Sequence, residues 1–232
     1  MRYLACLAAC AFTIGCTSNT PFDGNPDDIA VDVTDTTISF VQSDRMQDFA
    51  IDDEQLFEGF MSGTDGEERL YVRQGDQAAI ALILPGDGTS EQYFARFAPI
   101  DEMPSGDMTA TGRYVGFFPF GLSDTAVVGD VNLSIDFDDG ILSGEVVNRT
   151  MFIEEFSGFS SDGPPEFQLS TDIVLTDGRF GRDGQFSGTA ALTEDGVVQQ
   201  EGNFGGLQSG ADGRTFVGEI IVEAETGVFL AD

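Results

Sequence analysis

Asp-Gly occurs nine times in this 232-residue chain, at Asp23, Asp65, Asp87, Asp139, Asp162, Asp177, Asp183, Asp195 and Asp212. A two-residue turn of type I′ needs positive φ at both central positions, and glycine takes that conformation without steric cost. Between the dipeptides lie short runs rich in Val, Ile, Phe and Thr. Such punctuation predicts antiparallel strands joined by tight reversals. Helical periodicity is scarce, and the chain reads as all-β.

The run Val131, Leu133, Ile135, Phe137 alternates with Asn132, Ser134 and Asp136, so one face is apolar and the other polar. The same reading gives strands at 112–118, 131–137, 141–147, 167–175, 185–191, 198–206, 214–223 and 227–231. Eight strands fit a closed antiparallel up-and-down barrel, which leaves no exposed edge; a sandwich is the alternative. Leu133, Ile135, Phe137, Leu142, Phe186, Phe204, Phe216 and Ile220 are the expected inward or interdomain side chains. Residues 29–103 are β-rich but less regular, with strands expected at 37–41, 48–51, 56–61, 69–73, 77–84 and 92–97. They read as a smaller handle-like domain. The stretch MPSGD (103–107) marks the boundary with a barrel domain at 104–232.

All three cysteines, Cys6, Cys10 and Cys16, fall near the start of the chain. Met1 and Arg2 precede an apolar stretch at 3–15, shorter than the ~20 residues a permanent transmembrane helix needs. The stretch suits a secretory signal. It ends in Gly15-Cys16, which resembles a bacterial lipobox, although Thr13 stands where Leu is usual. Residues 1–15 are then a signal peptide, Cys16 the lipidated first residue, and 16–28, with Pro21 and Pro26, a flexible tether. Cys6 and Cys10 are removed with the signal, so no disulfide is expected.

The formal net charge is −31, from 41 acidic and ten basic residues, all ten of them arginine. Nucleic-acid binding rests on Lys and Arg neutralising phosphates, and this surface opposes it. Histidine is absent, which removes the usual general base and the commonest metal ligand. Acidic stretches at 101–107 and 136–140 match no calcium loop pattern. The chain is expected not to be an enzyme, and no metal or cofactor is expected.

Two aromatic-rich segments follow predicted strands: Phe117, Phe118 and Phe120 in one, and Met151, Phe152, Phe156 and Phe159 in the other. In an up-and-down barrel these two loops leave at the same end, and the Asp139-Gly140 turn lies at the opposite one. They are candidates for an apolar rim that contacts a partner. The competing reading is that they fold back to plug the barrel or pack on residues 29–103.

Four stretches carry a family resemblance: 104–117 (PSGDMTATGRYVGF), 131–146 (VNLSIDFDDGILSGEV), 202–220 (GNFGGLQSGADGRTFVGEI) and 227–232 (GVFLAD). Their glycine-aromatic pattern resembles the β-barrel domain of transferrin-binding protein B-like lipoproteins, a class that includes factor H-binding and haemoglobin-receptor lipoproteins. Thr215-Phe216-Val217-Gly218 departs from the family's usual Glu-Val-Ala-Gly. The resemblance implies a barrel preceded by a β-rich handle. It further implies a monomeric, outer-membrane, lipid-anchored protein that binds a protein or solute through barrel-end loops. A structural envelope lipoprotein without a ligand is the alternative. The motifs specify a barrel and no ligand.

Overall fold

The structure is a computed structural model that describes residues 29–34, 37–42, 45–57, 60–66, 68–75, 77–84, 92–98, 100–101, 103–117, 125–153, 166–181, 183–223 and 225–232. Its strands form two sheets. The first is a seven-stranded meander: β1 (Ile29–Val33), β2 (Thr37–Gln42), β3 (Arg45–Phe57), β4 (Phe60–Asp65), β5 (Glu68–Gln74), β6 (Ala78–Leu84) and β7 (Gln92–Phe97). It curls enough that β1 and β7 approach each other. The second holds β8 (Asp107–Phe117), β9 (Thr125–Asp136), β10 (Ile141–Ile153), β11 (Glu166–Gln168), β12 (Thr171–Phe180), β13 (Gln185–Glu194), β14 (Val197–Ser209), β15 (Thr215–Val222) and β16 (Glu225–Ala231). Pairing of β16 with β8 and of β9 with β10 closes eight of these strands into an antiparallel barrel, with β11 appended to the end of β10.

The barrel is packed inside. Leu133, Ile135, Leu142, Phe186, Phe204, Phe216 and Ile220 are buried, and Phe137 is half-buried against the same cluster. Phe216 lies 6.4 Å from Phe137 and 6.2 Å from both Phe180 and Phe186, centroid to centroid. These are ordinary spacings for attractive ring pairs. Tyr114 crosses Gly116 of its own strand and Gly227 of β16; a Cβ at either glycine would enter its ring. An eight-stranded barrel has an interior just wide enough for side chains to fill, and these glycines make room for the Tyr114 ring.

The first sheet packs on the outer wall of the barrel. Phe60, Tyr71, Ile80 and Leu82 bury themselves against Val115, Val128, Val217, Val228 and Leu230. Hydrogen bonds extend the junction. Ser209 Oγ donates to Gln77 O at 2.8 Å and accepts from Ala98 N at 2.7 Å, and Gly210 N donates to Ala98 O at 3.2 Å.

Several sequence expectations need correction. Residues 56–61 are not one strand: Leu56 pairs with Met61 and Phe57 with Phe60, so the chain reverses inside that run. Residues 29–33 form β1, which the sequence reading missed. The 167–175 run divides, because Phe167 belongs to β11 against Met151 whereas Ile173 and Leu175 belong to β12. Among the described Asp-Gly pairs, those at 65, 139, 183, 195 and 212 join consecutive antiparallel strands. Only Asp195-Gly196 has positive φ at both residues, 50° and 75°. Asp177-Gly178 is a bulge inside β12 instead, where the register shifts between Thr176 and Arg179 and a Cβ on Gly178 would strike the Leu142 carbonyl. The pairs at Asp23, Asp87 and Asp162 lie outside the described residues.

Candidate functional site

Register defines the two ends of the barrel. Phe117 pairs with Ala126, and Ala126 with Phe152, so β8, β9 and β10 reach one end together. The Asp195-Gly196 turn and the junction of β15 with β16 lie at this end, here called the rim. Asp139-Gly140 and Asp212-Gly213 lie at the other. The described strand ends that flank 118–124 and 154–165 lie at the rim.

The sequence-predicted rim residues divide. Phe152, 3% exposed, is buried in the cluster shared by barrel and first sheet, and Phe117 packs half-buried against the same cluster. Both take the alternative of packing on the first sheet. Met151 is half-buried. Phe118, Phe120, Phe156 and Phe159, like Cys16, lie outside the described residues. Other apolar side chains are open at this end: Phe167 (46%), Val197 (61%), Val198 (51%) and Ile221 (45%). Val197 follows the Asp195-Gly196 turn, Ile221 pairs with Thr226, and Phe167 pairs with Met151. Phe167, Val198 and Ile221 lie in expected strands and Val197 just before one, and strand alternation does not report which outward positions remain uncovered.

A β-bulge governs the interior just below the rim. Between Val147 and Thr150, β10 carries one residue more than β9 opposite, and Asn148 sits at φ 52°. A bulge of this kind re-aims the following side chains. Arg149 therefore points inward, its stem passing over Gly129, where a Cβ would lie 3.1 Å from Arg149 Cγ. The same one-residue shift turns Phe152 outward to the first sheet. Arg149 is 1% exposed and forms an ion pair with Glu225, 3% exposed. Arg149 Nη1 donates to Thr171 Oγ1 at 2.6 Å and to Thr171 O at 3.1 Å. The Tyr114 hydroxyl donates to Glu225 Oε1 at 2.8 Å. This network crosses the barrel from β10 to β12, β16 and β8. Nothing in the sequence set Arg149 apart from nine other arginines.

Glu219 lies on the opposite, outward face of β15, paired with Val228 and Gly205 beside the junction cluster. Burial pushes its carboxyl from 4.5 up to about 7. The folded state thus holds a proton that the unfolded state releases at lower pH. Stability from this group is complete below pH 4.5 and is lost as pH rises through about 7. Glu219→Gln is expected to gain stability over the parent as pH rises from 5 to 8, measured by urea unfolding. A parallel pH dependence in both proteins would show Glu219 to be solvated.

A packed eight-stranded barrel with a curled sheet on its outer wall has the fold of transferrin-binding protein B. Among solved structures, isotype 1 transferrin binding protein B of serogroup B Neisseria meningitidis is similar at TM-score 0.50, with 12% identity, 88% of this chain and 39% of that chain covered. A mutant transferrin binding protein B from Haemophilus parasuis Hp5 gives 0.49, with 11% identity over 80% of this chain and 39% of that one. A surface lipoprotein gives 0.44, with 11% identity over 88% of this chain and 96% of its own length. This chain thus spans 39% of the length of the two transferrin binding proteins. No family model matches the chain, and no curated protein matches it in sequence.

Proposed function

We propose that this protein is a membrane-anchored bacterial lipoprotein that holds a protein partner at the barrel rim. In this reading 1–15 is the signal peptide, Cys16 carries the lipid, and 16–28 is the tether. Residues 29–103 are a handle and 104–232 the binding barrel, displayed from the outer membrane. The observation that carries the proposal is that exposed apolar side chains on three strands, Phe167 of β11, Val197 and Val198 of β14 and Ile221 of β15, lie toward one end of the barrel. Exposed apolar residues scattered singly are ordinary, and a concentration of them toward one end makes that end the candidate interaction surface. The described strand ends that flank 118–124 and 154–165 lie at the same end, and in this reading Phe118, Phe120, Phe156 and Phe159 belong to the partner-binding surface. The similar protein from Neisseria meningitidis is named for binding transferrin, a protein partner. With a net charge of −31, the surface around the rim favours a neutral or basic partner.

The test is retention of envelope and extracellular proteins on the immobilised chain and on a Val197→Asp/Ile221→Asp variant. Both sites are exposed, and such changes usually alter stability by less than about 0.5 kcal/mol. At least tenfold weaker retention of a specific protein is expected for the variant. Equal retention, or none by either, leaves a structural envelope role. Independently, Cys16→Ser is expected to move the chain from the membrane to the soluble fraction.

A further inference from the structure

Away from the rim, a second concave surface opens where the first sheet meets the outer wall of β8, β9 and β10. It is a cleft of about 400 Å³, within the range of small-molecule sites. Arg73 of β5 and Arg113 of β8 line it from the two sheets, together with Asp130, Asn132, Asn148 and Asp232. The chain has only ten basic side chains, and two of them converge here. Arg73 is half-buried; burial lowers its pKa, neighbouring Asp232 raises it, and Arg113 lowers it again. Arg113 forms an ion pair with Asp130, and Asn148 Nδ2 donates to the second Asp130 oxygen at 2.8 Å. Positive and negative groups thus face one cavity with amides between them. A guanidinium has five N–H donors and a carboxylate about four acceptor positions, so each can hold a ligand group besides its present partner.

We propose that this cleft binds an amino-acid-sized zwitterion, its carboxylate held by Arg73 and Arg113 and its ammonium by Asp130 and Asp232. A net anion would meet these carboxylates and the field of a chain at −31. A net cation would meet two guanidiniums. A molecule carrying both charges complements both sets and crosses the surrounding field without a net cost. Among the described residues, the cleft lining contains no aromatic ring, and so no cage of the kind that recognises a quaternary ammonium. An ammonium with N–H donors is therefore required.

The test is thermal unfolding of the full mature chain, followed by circular dichroism, with each common amino acid added at constant ionic strength. At about 100 times its dissociation constant, a bound amino acid should raise the melting midpoint by roughly 5–10 °C. Acetate, methylammonium and glycine betaine should not. Thr111→Tyr fills the cleft from an exposed position, and should abolish the shift, as should Arg113→Gln. The Val197→Asp/Ile221→Asp variant should keep it, because the rim is a separate surface. No shift with any amino acid, an equal shift with acetate alone, or a shift that survives Thr111→Tyr overturns the proposal.

Discussion

Arg149→Met should destabilise the protein by about 3–5 kcal/mol, the usual cost of removing one partner of a buried ion pair. Arg149 and Glu225 are 1% and 3% exposed. Without Arg149, the Glu225 carboxylate keeps only the Tyr114 hydroxyl among the partners described. It must then ionise in a dry site or take up a proton. Thr171 Oγ1 and O lose their donor as well. A domain of ordinary stability has about 5–15 kcal/mol in total, so the variant is expected to be partly unfolded at 37 °C. The double variant Arg149→Met/Glu225→Leu should recover most of the loss, because replacing a buried pair by apolar groups is often neutral. Urea unfolding of the single and double variants measures both. A single-variant cost below about 1 kcal/mol would mean that water reaches the network and that it is surface-like.

The architecture was legible because it rests on local rules. Alternation along 131–137 gives the inward set directly, and Leu133, Ile135, Leu142, Phe186, Phe204, Phe216 and Ile220 are all buried. Five Asp-Gly pairs sit at reversals between consecutive strands of the described chain. What the sequence hid were departures from period two. The sequence does not reveal the extra residue at Asn148, because Val-Val-Asn-Arg-Thr alternates no worse if read straight through. That residue decides which side of the wall Arg149 and Phe152 occupy. A strict alternation from Leu142 and Val146 would put Phe152 inside the barrel; the bulge places it between barrel and first sheet. Aromatic content alone therefore overstates the free rim: Phe117 and Phe152 serve the junction, whereas exposed Val197, Val198 and Ile221 carry no signal beyond that of a strand or its edge. The Arg73–Arg113 cleft was equally hidden, since its walls come from β5 and β8, forty residues apart in sequence.

Phe216→Ala should cost about 3–5 kcal/mol, the range for truncating a fully buried aromatic ring. Phe216 is 0% exposed and touches three other rings, Phe137, Phe180 and Phe186. Its strand is clamped between β14 and β16, so the wall has little freedom to collapse into the space left behind. The cost per volume of residual cavity should therefore be high. Phe137 lies half-buried at the end of the same cluster, and Phe137→Ala should cost less than half as much, because solvent and neighbouring side chains can fill its place. The ratio of the two, read from urea midpoints at constant slope, tests whether this barrel is a filled core or a container. If the interior held a lumen, Phe216 would already border empty space, and its truncation would cost little more than that of Phe137. A filled core makes a further distinction: the cavity in Phe216→Ala is apolar and should stay dry, so benzene should stabilise that variant and leave the parent unchanged. A barrel whose interior is occupied by its own side chains has only its outer surfaces left for recognition, and that physical constraint directs the search for a partner to the rim and the junction cleft.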